Sequence, residues 1–159
     1  MGLLKGIDPL LTADLLYTLR SMGHGDRLVV CDCNFPAAAV ATKTISKAHI
    51  LLTTDLASAL DAILSVLPLD FFVDSPFSLM APQSGVAMPP GGLLVANACA
   101  QTVLRRCPGA SISFIERYKF YNEARNSFAV VQTLERRPYG NCILVKGVIG
   151  PDGQDLKPS

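Results

Sequence analysis

The sequence predicts a single α/β domain of three layers, with helices on both faces of a mainly parallel sheet. Segments with helical apolar spacing alternate with short, β-branched, near-continuous apolar runs, the pattern of strands buried on both faces. A chain of 159 residues suits one core and leaves too little for a second. Half of its residues are hydrophobic and only 17% are charged, where ~25% is usual, so there is more apolar surface to bury than an ordinary soluble domain offers. A subunit interface is one place to put it.

The first helix is expected from Thr12 to Gly23, with Thr12 as N-cap, Asp14 in the first turn and Leu15, Leu16, Leu19 and Met22 as the buried stripe. Gly23 suits the position after the helix end. Beyond a tight Gly23-His24-Gly25-Asp26 corner, Arg27 to Asp32 reads as an inner strand, and Pro36 prevents its continuation. A strand near Ile50-Leu51-Leu52 leads into a helix from Thr54 to Leu67, which Pro68 stops. Leu69 to Val73 reads as another short strand. From Ser75 to Gly92 the chain is rich in Pro, Gly, Ser and Met without a period, so a long loop is expected.

Leu93 to Arg106 resumes as a helix, followed by a strand at Ser111 to Ile115, a short helix near Lys119 to Asn126, and strands at Phe128 to Gln132 and Cys142 to Val148. The domain is taken as residues 1–148, and the polar residues 149–159 are expected to fray.

Composition excludes several functions. Fourteen Lys and Arg against thirteen Asp and Glu leave a net charge of +1, so no bulk field draws nucleic acid or an acidic membrane. No stretch approaches the ~18 uninterrupted apolar residues of a membrane span. Asp8 and Pro9 interrupt any signal-peptide core, and Gly6 stands where a myristoylation signal needs Ser or Thr; a soluble cytoplasmic protein is expected. The five cysteines contain no C-x-x-C pair, no metal site is expected, and Cys31 and Cys33 are read as lying on one face of a strand. Nucleotide loops, H-E-x-x-H and G-x-S-x-G are all missing, so no cofactor is expected.

Chemistry is therefore sought in individual polar residues. His24, between two glycines at a helix end, is free to face a cleft or to cap that helix. His49 beside Lys47 has no such setting. Asp32 ends an apolar strand, where loops after parallel strands gather into ligand sites; a carboxylate there can accept from paired sugar hydroxyls or cap the next turn. Asp70 is flanked by Leu-Pro-Leu and Phe-Phe-Val, an apolar setting for an acid or base, though a turn role is equally open. Tyr121 and Tyr139 offer phenols that hydrogen-bond while stacking on a sugar face. Gly140 permits close backbone approach, and Asn141 both donates and accepts. Arg136-Arg137 reads as a solvated turn.

These residues also recur as a pattern. Leu4-Lys5-Gly6-Ile7, Met22-Gly23-His24-Gly25-Asp26, Asp32-Cys33-Asn34-Phe35-Pro36, Leu67-Pro68-Leu69-Asp70, Phe120-Tyr121, Phe128-Ala129-Val130-Val131, Tyr139-Gly140-Asn141 and Lys146-Gly147 stand in the order found in one family. Over residues 3–148 the chain resembles the fucose mutarotase and ribose pyranase family of sugar-anomer isomerases. Asp-Cys-Asn-Phe-Pro and Arg117-Tyr118-Lys119-Phe120-Tyr121 look closer to the fucose branch. The resemblance implies L-fucose anomer interconversion, with His24 as proton donor, Asp70 and Tyr121 as acid/base or binding partners, and Asp32, Arg117, Tyr139, Gly140 and Asn141 around the sugar. It implies no cofactor and no metal. Members form ring-shaped homo-oligomers, commonly decamers, with sites near subunit contacts. Two departures concern pocket shape and ring size: Asn34 stands where some relatives have His, and Ala81 to Gly92 does not follow the family pattern. The other readings are a D-ribose pyranase and a non-catalytic monosaccharide-binding module.

Overall fold

The computed structural model describes residues 2–159. In chain order the elements are α1 (Ala13–Ser21), β1 (Arg27–Cys31), α2 (Ala37–Ala41), β2 (His49–Leu51), α3 (Leu56–Leu64), β3 (Phe77–Ala81), α4 (Gly92–Arg106), β4 (Ile112–Glu116), α5 (Arg117–Arg125), β5 (Ala129–Gln132) and β6 (Cys142–Val145). The strands form one six-stranded sheet in the order β2-β5-β1-β6-β3-β4. Only β6 runs against its neighbours, pairing antiparallel with β1 and β3, while the other three pairings are parallel.

Alternation along the strands divides the core. Leu28, Val30, Ala129, Val131, Cys142, Leu144, Phe77 and Leu79 pack with α1, α3 and α4 on one face. On the other, Val29, Cys31, Val130, Ile143 and Met80 meet α2 and α5. Burying both faces explains why the central strands carry almost no polar side chains. These are the three layers expected.

Several elements differ from expectation. The supposed strand from Leu69 to Val73 is reduced to a single bridge, Leu69 to Lys146; the chain then turns, with the Phe72 N–H donating to Asp70 Oδ1 at 3.0 Å. Conversely, the expected loop from Ser75 contains β3, an inner strand between β6 and β4. Its apolar character is broken by Ser78, whose hydroxyl is satisfied by Ser113 at 2.9 Å. Prolines at 76 and 82 bracket the strand and hide it among turn residues.

Helix α2 follows Pro36 and is made almost wholly of alanine, the strongest helix former. Cys33 lies beyond the end of β1 and is exposed, so it does not share a face with buried Cys31. Residues 149–159 are folded back: the Leu156 N–H donates to the Val148 carbonyl at 2.8 Å, and Lys157 reaches the Pro108 carbonyl at 2.9 Å while lying over Phe71. Among the described residues no helix is long and apolar enough to cross a membrane, and no cluster of His, Cys, Asp and Glu could hold a metal ion.

Candidate functional site

The residues singled out in the sequence fall into two groups at opposite ends of the inner strands, the two end-on edges of the sheet. At the edge where β1 begins, α1 ends and the chain turns through Gly23 to Asp26. The left-handed residue of this corner is Gly25 (φ 84°) rather than Gly23. The turn is closed by the Gly23 N–H donating to Asp26 Oδ2 at 2.7 Å. His24 projects from it with its side chain 54% exposed, and its Nε2 lies 3.0 Å from Oδ2 of Asp70, which is 3% exposed. One oxygen of a buried carboxylate thus fixes the imidazole, and the other is held by the Phe72 N–H.

At the other edge, where the parallel strands end and β6 begins, Asp32, Asn34, Phe35, Met80, Arg117, Tyr121, Pro138, Tyr139 and Asn141 line a cleft of about 180 Å³. Asn141 is its buried polar anchor. Its Oδ1 accepts from the Asp32 N–H at 3.0 Å, and its Nδ2 donates to Asp32 Oδ2 at 3.2 Å. Asp32 Oδ1 accepts from the Asn34 and Phe35 N–H groups, both at 2.9 Å. Burial pushes this carboxyl above the usual range, and the hydrogen bonds from Asn34, Phe35, Asn141 and Gly140 pull against that.

Helix α5 supplies the apolar wall. Arg117 and Tyr121, one turn apart, share a face, and the Arg117 guanidinium lies 5.8 Å from the Tyr121 ring centroid. Tyr121 stacks on Phe35 at 5.3 Å with 14° between planes.

The loop between β5 and β6 sets Tyr139 and Asn141, and it depends on a residue the sequence reading passed over. Glu135 is buried; Oε1 accepts from Arg137 Nε and Oε2 from Arg137 Nη2, both at 2.8 Å, so Arg137 is an ion-pair partner rather than a solvated turn residue. The Glu135 carbonyl also accepts from the Cys33 N–H at 2.9 Å. Tyr139 adopts φ 62°, unusual for a residue with a side chain, and is held there by its surroundings. Gly140 is enclosed: an added Cβ would lie 2.9 Å from Glu135 Cγ and 3.2 Å from the Arg137 carbonyl oxygen, so packing within the protein already requires its missing side chain. The unlike neighbours of Glu135, an acid followed by two arginines, were the only signal of its role.

A pH effect follows. Hydrogen bonding to Arg137 lowers the Glu135 carboxyl from 4.5 to about 2. A group depressed in the folded state adds stability that is present above its unfolded value and is lost as pH falls through the folded one. Glu135→Gln should therefore be less stable than the parent at neutral pH, and the gap should shrink between pH 4.5 and about 2, read from denaturant midpoints. A gap independent of pH would contradict the ion-pair account.

The two edges are far apart within one chain. From Asp26 to Asp32 the path follows β1, and at ~3.3 Å per residue it spans about 20 Å. His24 is brought to Asp70 but not to Tyr121, Asp32 or Asn141. His49 lies on β2, bonded to Gln132 Oε1 at 2.9 Å, outside both groups.

Comparison with known proteins bears on the family and the fold. Residues 5–149 match the model of the RbsD / FucU transport protein family. The human protein named fucose mutarotase is 38% identical over 159 residues, covering 94% of this chain and 96% of its own. The crystal structure of the fucose mutarotase from Streptococcus pneumoniae in complex with L-fucose superposes with a TM-score of 0.79 at 33% identity, covering 92% of this chain and 100% of the other. Bacillus subtilis RbsD complexed with D-ribose shares the fold, with a TM-score of 0.64 at 18% identity, covering 90% of this chain and 98% of that one. With a family match running through nearly all of its residues and these full-length relatives, the chain belongs to the RbsD / FucU family.

Proposed function

We propose that this protein is an L-fucose mutarotase, a carbohydrate isomerase interconverting the α and β anomers. The observation that carries the reading is His24 fixed by buried Asp70 yet open to solvent, an arrangement suited to proton transfer and unnecessary in a module that only binds sugar. Relatives named fucose mutarotase match over almost the whole chain. The cleft supports a deoxy sugar: Asp32, Asn141 and Tyr139 suit hydroxyls, while Met80, Phe35, Tyr121 and Pro138 give a methyl group an apolar wall.

Mutarotation protonates the ring oxygen and removes the proton of the anomeric hydroxyl, so that the bond from the anomeric carbon to the ring oxygen breaks. The carbonyl turns and the ring recloses on its other face. In our reading His24, oriented by Asp70, and Tyr121 handle these two protons, while Asp32, Arg117, Tyr139, Gly140 and Asn141 surround the sugar. No step calls for a metal or cofactor.

His24 and Tyr121 belong to opposite edges of a chain, so this chemistry requires two copies, the His24 edge of one facing the cleft of another. A closed ring, as in decamers, repeats one such heterologous contact at every subunit. Exposed Phe72 and Val73 beside Asp70, and exposed Leu134 near the cleft loop, fit burial in that contact. A cytoplasmic location suits the five free cysteines.

Freshly dissolved α-L-fucose should equilibrate faster with catalytic protein, followed by polarimetry or exchange NMR, and faster than D-ribose exchanges its pyranose and furanose forms. Binding without exchange would leave the module reading in its place. For the shared site, His24→Gln and Tyr121→Phe subunits, each inactive alone, should regain activity when co-expressed. Random mixing in a closed oligomer puts both native halves together at about a quarter of the sites. No recovery in verified mixed oligomers would place the whole site within one chain.

A further inference from the structure

We propose that Lys146 is a positioning residue for the His24–Asp70 pair, with its ammonium locking the corner that carries His24. Helix α1 ends without a left-handed glycine cap: Met22 is extended, at ψ 140°, and its N–H turns back to the Thr18 carbonyl. Of the carbonyls left open at this end, the Lys146 ammonium takes two, donating to Leu19 O at 2.9 Å and to Met22 O. A cation at a helix C-terminus also meets the negative end of its dipole.

The backbone of the same residue joins both halves of the pair. The Lys146 N–H donates to the Asp26 carbonyl, and its own carbonyl accepts from the Gly25 N–H, both at 2.8 Å. Across the strand end, Leu69 bridges to Lys146, and the Asp70 N–H donates to the Val145 carbonyl at 3.0 Å. The strand end therefore lies between the His24 corner and the Asp70 segment and is bonded to each. The side chain adds what the backbone cannot, a tie from this strand to the end of α1 on the residue next to the His24 corner. Burial lowers the ammonium from its ordinary range and nearby Arg20 adds to this, while Asp26 opposes it. The charged groups around the corner are thus Arg20 on α1, Asp26 within the turn, Asp70 opposite and Lys146 on the strand end.

The kinetic part of this inference rests on the mutarotase reading, and the spectroscopic part does not. The chain has only two histidines, and His49 is distant, so it serves as an internal reference. In Lys146→Met the ring nitrogen resonances of His24, at one fixed pH, should move toward those of an unpaired imidazole while His49 stays unchanged. The turnover for L-fucose exchange should fall by about ten- to a hundredfold, as for a modest misplacement of a reacting group, with KM nearly constant. Lys146→Gln, which keeps a donor, should restore part of both signals and is read in the same way if the methionine variant does not fold. An unmoved His24 resonance in a folded variant overturns the proposal. Equal shifts of both histidines also overturn it, since they would mean a general loosening. A moved His24 signal without any exchange activity in the parent protein would retain the positioning role and reject the mutarotase reading.

Discussion

Replacing His24 by glutamine is expected to lower anomer exchange by about 10²–10⁴, the usual worth of one general acid or base, while leaving the fold intact. The side chain is 54% exposed and belongs to no core cluster, so its loss removes little packing. The change in stability should stay within about 1 kcal/mol, as for surface positions. Asp70 loses the partner of Oδ2 but keeps the Phe72 N–H on Oδ1, and glutamine offers an amide in its stead. Asp70→Asn gives the complementary test. It preserves shape but removes the negative charge facing the ring, so turnover should drop while L-fucose binding in the opposite cleft persists. Polarimetry for exchange, calorimetry for binding and a thermal midpoint for folding separate the three quantities. A His24→Gln protein that exchanged fucose at the parent rate would end the proton-transfer reading.

The strands that hold the two edges were legible to different degrees, for physical reasons. β1 announces itself because it is central and apolar on both faces, so nothing interrupts Leu28 to Cys31. β3 is equally central but was hidden. Pro76 and Pro82 set it among turn residues, and its one polar side chain is satisfied by Ser113, 35 residues away, so nothing local marks it as a strand. The polar residues show the same division. Asp32, Asn141 and Tyr121 could be picked out by type, and the cleft brings them together. Which end of the strands His24 occupies depends on strand direction, which residue types do not reveal, so its separation from Tyr121, Asp32 and Asn141 could not be read from the sequence. Glu135 escaped notice because its partner was Arg137, two residues on, in a run that reads as solvated charge.

Gly147→Ala is expected to cause the largest loss of stability of any single methyl addition at the His24 edge. A Cβ at this buried position would fall inside the van der Waals envelope of the Leu69 carbonyl and 2.8 Å from the Asp70 nitrogen. All of these are backbone atoms, so no side chain can swing aside. The strand end and the 68–70 segment would have to part. That would break the bonds from the Gly147 N–H to the Pro68 carbonyl at 2.9 Å and from the Asp70 N–H to the Val145 carbonyl at 3.0 Å. Overpacking costs about 1–3 kcal/mol, and each buried hydrogen bond about 1 kcal/mol more, so a loss of about 3–5 kcal/mol is expected in denaturant unfolding. Gly23→Ala is the control. It lies on the same edge, is not left-handed, and its nearest neighbour would be 3.7 Å away at Asp26 Oδ2, so its midpoint should barely move. Asp70 is attached to the displaced segment, so Gly147→Ala should also detach the carboxylate from His24, and exchange activity should fall even where the protein remains folded. A stable, fully active Gly147→Ala protein would mean that the strand end does not hold Asp70 against His24.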